Sequence, residues 1–476
     1  MQYMKQPPII VWFRHDLRVE DNPALRAAVD RGAVIPVFIW SPAEEGQWSP
    51  GGASRWWLHH SIDSLDERLR QLGSRLILSN RPSLVALRSI IKDTKAQGVF
   101  WNRRYEPAII KRDTHIAKQL RDDNVEVKRF NGGLLFEPGS ILNKSGGPFQ
   151  VFTAFWKTCL QQSPSQRTPT PQKIPAPKSW PTSENLDSLQ LEPVIDWAAG
   201  IRDAWRPGSK EAQKRLRTFV KGPLSNYEVG RNQIDIDGSS RLSPHLHFGE
   251  ISPGQVRRAV MKSGAATSKS AQVFLAEIGW REFAHHLLYH FPETTGQPLR
   301  DSFKRFPWSR DATALRRWQK GQTGYPIIDA AMRDLWSSGF MPNRARMIVA
   351  SFLTKHLLIP WQEGAKWFWD TLVDADLASN TLGWQWTAGC GADAAPYFRI
   401  FNPILQAQKF DPNGAYIRRW VPELEALPTP WIFKPWEAPA DILRSADIRL
   451  GEAYPEPIVD HAEARTAALS AYDFIR

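Results

Sequence analysis

Residues 339–361 read GFMPNRARMIVASFLTKHLLIPW, and this stretch guides the interpretation of the whole chain. Pro342 suits the first position of a helix, where its missing N–H is not needed. Apolar residues then recur at helical spacing until the next proline ends the pattern. Because Asn343, Arg346 and Met347 are three and four positions apart, one face of this predicted helix carries an amide, a guanidinium and a thioether.

Residues 374–386 read DADLASNTLGWQW and show no simple periodicity. Two carboxylates, Asp374 and Asp376, and the amide of Asn380 are costly to bury without partners. Their neighbours are nevertheless largely apolar. The residues alone allow two interpretations: a capped helix end with a solvated aspartate pair, or a pocket that binds a polar, ring-bearing cofactor.

Together these two stretches resemble the flavin- and substrate-binding core of the photolyase/cryptochrome family. The residues that match its motif are Asn343, Arg344, Arg346, Met347, Asp374, Asp376, Asn380, Trp384 and Trp386. The resemblance extends over residues 9–431, and WNRRYEP at 101–107 is similar to the microbial class III subgroup. It implies an FAD enzyme that repairs cyclobutane pyrimidine dimers in DNA. In this family, light-excited reduced FAD passes an electron to the flipped-out dimer.

Composition narrows the class of protein independently. A chain of 476 residues is too long for one core, so two or three domains are expected. The formal charge of +12 favours a polyanionic partner such as nucleic acid. An excess of tryptophan, 22 residues, favours a protein that handles aromatic rings.

Targeting signals and cysteine usage point to the cytoplasm. The start of the chain lacks a signal-peptide core, and no apolar run is long enough to span a membrane. Cys159 and Cys390 are the only cysteines and lie far apart in sequence. We therefore expect a reducing compartment and no metal site. The protein is also expected to be a monomer without an obligate protein partner.

The first part of the chain alternates predicted strands and helices, which is typical of a doubly wound parallel sheet in an α/β domain. The predicted strands are 9–13, 34–40, 75–79, 99–101 and 126–130, with helices over 54–72, 83–97 and 108–123. No GxGxxG follows the first strand, so the usual dinucleotide fingerprint is absent. By resemblance, this region is the Rossmann-like antenna domain of the family.

A proline-rich segment and an all-helical region follow. The prolines between 164 and 181 predict a semi-extended connector rather than a packed element. Helices are then predicted over 210–220, 253–261, 270–289, 313–320, 327–337, 343–358 and 365–373. The expected domains are an α/β antenna domain (1–162), a linker (163–200) and an all-α FAD-binding catalytic domain (201–476).

The resemblance implies a set of FAD-binding residues. The segment 239–243 would hold the diphosphate, although the residues alone also allow an ordinary helix cap with a solvated arginine. The implied set is Tyr227, Ser239, Ser240, Arg241, Leu242, Ser243, Phe274, Glu277, Arg281, Phe340, Asn343, Arg346, Asp374, Asp376 and Asn380.

The family pattern also implies contacts to the dimer and to DNA. At the dimer it implies Glu277, Trp280, Asn343, Met347 and Trp386, whereas the residues alone also allow a surface salt bridge from Glu277 to Arg281. The DNA-binding set is Arg231, Trp280, Arg344, Trp386 and Arg399. Members that repair (6-4) photoproducts have histidines in the region where PNRARM has none, so cyclobutane dimers are favoured.

The electron-transfer chain of the family matches Trp384, Trp361 and Trp308, for which ordinary core packing is the alternative. A second chromophore, methenyltetrahydrofolate or a deazaflavin, is expected near Trp40, Arg55 and Glu106. The Asn-Glu pair that holds folate in some bacterial members is replaced here by Ala108-Ile109, which argues against that mode of binding. A signalling cryptochrome is the main alternative. It is disfavoured because no long tail follows the catalytic region.

Overall fold

The computed structural model describes residues 7–476. Residues 1–6, which belong to the segment where no signal peptide is expected, lie outside the described residues. The chain forms two compact units. The first runs up to Ser225 and includes Ser240–Pro292, and the second comprises Asn226–Ser239 and Glu293–Arg476.

The first unit contains a five-stranded parallel sheet in the order β3-β2-β1-β4-β5. Its strands are β1 (Ile9–Phe13), β2 (Val34–Ile39), β3 (Ile77–Ser79), β4 (Gly98–Asn102) and β5 (Glu126–Phe130). They alternate with α1 (Pro23–Val29), α2 (Gly52–Gln71), α3 (Ser83–Thr94) and α4 (Pro107–Asp122). Strand β1 is buried along its whole length, as expected for a parallel sheet covered on both faces. The doubly wound α/β prediction is confirmed.

Strand β3 is shorter than the predicted 75–79. The N–H of Leu76 donates to the side chain of Asp66 at 2.7 Å, and the N–H of Ser74 donates to the carbonyl of Leu69 at 3.0 Å. These bonds hold the chain against the end of α2, so regular pairing begins only at Ile77.

The proline-rich segment is extended, but the prediction that it is unpacked is wrong. The carbonyl of Pro175 accepts from the N–H of Val34 at 2.8 Å, and the N–H of Ile174 donates to Leu72 at 2.9 Å. The Ile174 side chain is completely buried. Proline lacks an N–H but keeps its carbonyl, and the residues between the prolines keep both groups, so such a segment can still bond to the rest of the first unit.

The remaining helices cover most of the chain beyond the sheet. They are α5 (Phe152–Leu160), α6 (Ala199–Ala204), α7 (Ser209–Lys221), α8 (Tyr227–Gly230), α9 (Ser243–His247), α10 (Pro253–Lys262), α11 (Lys269–His290), α12 (Ala312–Gln319), α13 (Pro326–Ser338), α14 (Asn343–Ser351), α15 (Trp361–Thr371), α16 (Leu377–Ala388), α17 (Pro403–Phe410), α18 (Ala415–Trp420), α19 (Thr429–Ile432), α20 (Ala440–Ser445) and α21 (His461–Asp473). Helices α5–α7 and α9–α11 belong to the same unit as the sheet, so the compact units do not divide at residue 201. Within residues 7–476, no helix has the length and apolar character needed to cross a membrane.

The helix predicted over 343–358 is confirmed only as far as Ser351. A π-helical turn, Phe352–His356, follows it, and Leu358 has a positive φ of 52°. Pro342 is not the first helical residue as expected. It caps the helix in an extended conformation, with ψ at 144°.

Helix α16 is absent from the predictions because it has no single apolar face. Its buried side includes polar residues as well as apolar ones: Leu377, Ala378, Thr381, Trp384, Gln385, Thr387 and Ala388. Leu382 and Trp386 are instead partly exposed, so the apolar residues form no stripe at a spacing of 3.6 residues. The segment with no simple periodicity is therefore a central helix of the second unit.

A buried carboxyl group in the first unit gives a test of this packing. Glu282 on α11 is 3% exposed and accepts from the N–H groups of Leu135 and Phe136 at 2.9 and 3.2 Å. Burial raises the pKa of Glu282 to about 7, although Arg281, 3.8 Å away, opposes the shift. The group is neutral in mildly acidic solution.

Glu282→Gln is expected to flatten the dependence of stability on pH between about 4.5 and 7. In this window the native protein binds more protons than the unfolded chain, so wild-type stability falls as pH rises. The loss is at most on the order of 3 kcal/mol, and glutamine removes it because it cannot ionise. Urea unfolding at pH 5 and 7.5 measures the difference. The exposed control Glu452→Gln should behave like wild type, and equal pH slopes for Glu282→Gln and wild type would refute the burial argument.

Candidate functional site

Two of the candidate residues in the second unit form an ion pair whose carboxylate is buried. Nη2 of Arg346 on α14 lies 2.8 and 3.0 Å from the two carboxylate oxygens of Asp374, whose side chain is 3% exposed. The Nε of Arg346 donates to the carbonyl of Met341 at 2.8 Å. This bond and the two-point contact fix the guanidinium in one orientation.

Asp374 and Asp376 have different roles, so neither the helix-cap interpretation nor the pocket interpretation of the sequence applies to both residues. Asp376 is the N-cap of α16 and accepts from the N–H of Ser379 at 2.8 Å. Asp374 is buried and paired with Arg346 rather than solvated. The cap interpretation is thus right for Asp376, and the solvated pair is wrong.

The side-chain amide of Asn380 is oriented by the neighbouring helix. Its Nδ2 donates to the carbonyl of Ala365 on α15 at 3.0 Å. Because a carbonyl can only accept, this bond determines which end of the amide is the nitrogen. The Oδ1 of Asn380 is then the atom that can accept from a ligand N–H.

The three tryptophans predicted for electron transfer lie on connected segments of the second unit. Trp384 and Trp361 are 2% and 1% exposed, and Trp308 is partly exposed. Gly364, one turn after Trp361 on α15, packs directly against the Trp384 ring. The N–H of Ser309 donates to the carbonyl of Leu358 at 2.7 Å, so the Trp308 loop lies beside the segment leading to Trp361. Two of these tryptophans are buried and Trp308 is partly exposed, which suits a path for electrons between the interior of the second unit and solvent.

Sequence reasoning missed Gly364 and the ring neighbours of Trp384. The centroid of the Trp384 ring lies 5.0 Å from that of Phe368 and 6.2 Å from that of Trp318. Trp318 is itself held by a 3.1 Å bond from its Nε1 to Val349. A glycine directly before the predicted helix 365–373 was the available signal for a close approach.

Gly364→Ala is expected to destabilise the protein by about 1–3 kcal/mol, because the added methyl group would overlap the Trp384 ring. The same change at Gly383, an exposed position of α16 with open space around it, should stabilise by up to about 1 kcal/mol. Thermal unfolding of both variants provides the comparison. A Gly364→Ala protein at least as stable as Gly383→Ala would show that Trp384 does not pack as described.

Arginines predicted to bind DNA occur in two places in the second unit. Nη2 of Arg344 on α14 donates to the Oδ1 of Asn232 at 2.6 Å, and its guanidinium lies 4.3 Å from the Phe410 ring. Burial and the nearby charge of Arg231 lower the pKa of Arg344. Arg399 is exposed on the loop between α16 and α17.

The other candidates of the second unit surround these groups. Asn343 is exposed on the first turn of α14, and Met347 and Trp386 are partly buried. The guanidinium of Arg346 lies 5.3 Å from the Phe340 ring, and that of Arg231 lies 5.6 Å from the Tyr227 ring. Ser239 belongs to this unit as well.

Candidates in the first unit lie mostly on α11. Trp280 stacks on Phe152 with ring centroids 3.8 Å apart, so one face of its ring is covered. Nη1 of Arg281 donates to the carbonyl of Gly133 at 2.8 Å, and Glu277 is partly buried. Phe274 packs 4.5 Å from Phe219.

The segment Ser240–Ser243 leads into the short helix α9, whose first residue is Ser243. Arg241 has a positive φ of 48°, and its guanidinium lies 4.4 Å from the Trp205 ring. The capping alternative for this segment is not borne out, because no side chain bonds the first turn of α9.

The expected antenna residues are only loosely grouped by their contacts. Glu106 forms an ion pair with Arg104 at 2.8 Å, and Arg104 also binds Glu45 at 3.0 Å. Trp40 is partly buried and Arg55 is exposed. An antenna at these three residues stays a prediction.

One group in residues 7–476 has the donors of a metal site, although none was expected. It consists of His59 and His60 on α2 with Glu192, whose ligand atoms all lie within 4.8 Å of one another. Nε2 of His60 is 3.3 Å from the Glu192 carboxylate. This carboxylate is 45% exposed, so a solvent-facing histidine–carboxylate contact accounts for the cluster.

Comparison with known proteins agrees with this geometry. The chain matches the family models for DNA photolyase over residues 9–178 and for the FAD binding domain of DNA photolyase over residues 274–473. A deoxyribodipyrimidine photo-lyase of Agrobacterium fabrum is 50% identical, with 99% of each chain aligned. The chain therefore belongs to the photolyase/cryptochrome family.

Solved structures and plant relatives refine this assignment. A bacterial class III photolyase from Agrobacterium tumefaciens matches with a TM-score of 0.96 and 49% identity, covering 100% of this chain and 98% of that one. Cryptochrome-1 of Arabidopsis thaliana is 42% identical over 96% of this chain and 69% of its own length. The predicted family, its likeness to class III members and the combination of a parallel-sheet domain with a helical FAD-binding domain are confirmed.

Proposed function

We propose that this protein is a deoxyribodipyrimidine photo-lyase that repairs cyclobutane pyrimidine dimers in UV-damaged DNA, using blue light and FAD. The relative from Agrobacterium fabrum that shares half of its residues bears this name. The observation that carries the proposal is the orientation of three polar side chains in the second unit, Arg346, the buried Asp374 and Asn380, each of which is held by hydrogen bonds.

The second unit has the chemistry needed to hold a reduced flavin. The Oδ1 of Asn380 is an acceptor, which suits the ring N–H that a flavin carries only when it is reduced. Arg346 donates two of its N–H groups to Asp374 and Met341, which leaves other guanidinium N–H groups for a flavin carbonyl. When bound, reduced and excited by light, FAD supplies the electron that opens the cyclobutane ring. For the candidate residues on α11 and at Ser240–Ser243, contact with FAD stays a prediction.

The tryptophans give a means of reducing the flavin. Trp384 is buried, whereas Trp308 reaches solvent, and Trp361 lies on the helix that packs against Trp384. We propose that these residues pass an electron inward from an external reductant to the flavin. Core packing accounts for the burial of Trp384 and Trp361 but not for the exposure of Trp308.

Positive charge in the second unit suits a phosphate backbone. Arg231, Arg344 and Arg399 are the proposed contacts, and each should add about one unit to the salt dependence of DNA binding. Extruding the dimer from the duplex costs a few kcal/mol, less than for an intact pair because the lesion is already poorly paired. Stacking on Trp386 or the uncovered face of Trp280 would offset part of this cost.

Repair assays on two lesions test the proposal. Oligonucleotides carrying one cyclobutane thymine dimer or one (6-4) photoproduct are mixed with protein containing reduced FAD, in blue light and in the dark. The expected result is restoration of intact thymines only from the cyclobutane dimer and only in light. Repair of the (6-4) lesion, or of neither, would refute the proposal. FAD binding with tight dimer binding but no repair would favour the cryptochrome alternative that the 42% identity to the Arabidopsis protein raises.

A further inference from the structure

Lys355 has a buried amino group without an anionic partner. Its side chain lies on the π-helical turn after α14, and the residue is 1% exposed. Nζ donates to the backbone carbonyl of Arg399 at 3.0 Å and lies 5.1 Å from the centroid of the Tyr397 ring. Within residues 7–476, no carboxylate forms an ion pair with it. The charge of the Arg399 side chain repels the protonated form of the Lys355 amino group.

Burying the Lys355 amino group in this way does not favour the stability of the folded protein. Desolvation and the charge of Arg399 lower the pKa of Lys355 to about 7, so the cation is held at a cost. An apolar side chain of similar length would fill the same space without that cost. Burial lowers the pKa of the titratable neighbour on the same turn, His356, to about 3, so this residue is neutral and adds no second charge. The amino group therefore serves a purpose other than filling the core.

The bond from Lys355 and a second bond, from Ser351, attach residues 399–401 of the loop between α16 and α17 to α14 and the π turn after it. The Oγ of Ser351, one turn earlier, accepts from the N–H of Phe401 at 3.4 Å. Ser351 and Lys355 thus bind the backbone at Phe401 and Arg399, two residues apart. Between and beside these bonds the side chains of Phe398 and Arg399 are exposed, Phe398 by 64%.

We propose that Lys355 is a positioning residue for DNA binding: it fixes the backbone at Arg399 so that the Arg399 guanidinium and the Phe398 ring are presented to the damaged strand. This inference rests on the proposed function, because it assigns Lys355 a role only if Arg399 contacts DNA. Without the Nζ bond the carbonyl of Arg399 would lose its partner, and the loop would sample other conformations. DNA binding would then be weaker, because the loop would lose conformational entropy each time that binding ordered it.

The role follows from the geometry of the π turn. An α-helical turn closes between residues four apart, whereas the wider turn at Phe352–His356 inserts one extra residue and changes the direction of the side chains that follow. Lys355 is on this turn and faces the loop rather than solvent. Single π-helical turns are frequent at functional sites.

Binding of damaged DNA by Lys355→Met tests the proposal. Fluorescence anisotropy with an oligonucleotide carrying a cyclobutane thymine dimer should show Kd raised about 3- to 10-fold, and a salt slope reduced by about one unit. The FAD absorbance and the repair rate at saturating DNA should equal those of wild type. Lys366→Met, which removes an exposed charge on α15, serves as the control and should change Kd less than 2-fold.

A double-variant cycle separates positioning from a general loss of charge. If Lys355 acts through Arg399, Lys355→Met combined with Arg399→Ala should bind no more weakly than Arg399→Ala alone. Effects that multiply, or a Kd within 2-fold of wild type for Lys355→Met, would overturn the proposal. Should the methionine variant not fold, Lys355→Gln, which keeps an N–H donor, replaces it and should retain part of the affinity.

The wild-type arm distinguishes the two levels of inference. If wild-type protein neither binds nor repairs the lesion, the proposed function is refuted, and the proposed role of Lys355, which depends on it, is refuted as well. If wild type binds and repairs while Lys355→Met is unchanged, only the positioning role fails.

Discussion

Trp384→Phe is expected to reduce the photoreduction of FAD by at least about 100-fold. Trp384 lies at the buried end of the tryptophan series, against Gly364 and within 5.0 Å of the Phe368 ring centroid. Phenylalanine fills most of the same volume but is far harder to oxidise, so an electron could no longer leave this position. A loss of 100-fold corresponds to about 3 kcal/mol in the activation free energy.

Two controls separate this electronic effect from damage to the fold. Trp384→Phe reduced chemically with dithionite should repair dimers at the wild-type rate, because repair itself does not pass through the tryptophans. Trp431→Phe, a partly exposed tryptophan of α19, should photoreduce normally. Wild-type photoreduction by Trp384→Phe would remove Trp384 from the proposed path.

Arg346→Met is expected to destabilise the protein by about 3 kcal/mol or more, measured as a shift of the urea midpoint. The substitution leaves the Asp374 carboxylate buried at 3% exposure without its cation, and an unpaired buried charge is the costly outcome of breaking such a pair. Asp374→Asn should cost less. An asparagine still accepts from Arg346, and the remaining guanidinium is 25% exposed to water.

The double variant Arg346→Met with Asp374→Asn provides the matched test. It removes both charges, so it should be more stable than Arg346→Met alone although it carries one more substitution. If the single and double variants unfolded at the same urea concentration, the ion pair would not be the interaction that holds α14 to the segment before α16.

The fold was largely predictable because sequence patterns record burial. The unbroken apolar run of strand β1, IIVWF, indicates burial on both faces, whereas helices α4 and α7 show the periodic pattern of burial on one side. The predicted bounds of these elements differ from the observed ones by one residue at most. Helix α16 could not be found in this way, since polar Thr381 and Gln385 lie on its buried side while Leu382 and Trp386 are partly exposed. The connector was misjudged for a different reason: its hydrogen bonds use backbone carbonyls and the N–H groups of residues between the prolines, which composition does not reveal.

The candidate site was predictable only as a list of residues. Spacing alone could not separate the roles of Asp374 and Asp376, because pairing with Arg346 depends on where two distant helices meet. Lys355 drew no attention in the sequence, where a lysine at the end of an apolar helix is normally solvated. Its burial arises from the π turn and from the return of the chain at Arg399, neither of which leaves a local signal.

The most direct test of the account is single-turnover repair by protein whose FAD has been reduced chemically in the dark. One blue-light flash is given to its complex with an oligonucleotide carrying one cyclobutane thymine dimer. Intact thymines and the flavin absorbance are then measured on the same sample. We predict that thymines are restored while the flavin is still reduced afterwards, since the electron returns once the ring has opened. Dimers that stay intact, or flavin oxidised in step with each dimer lost, would contradict the proposed function.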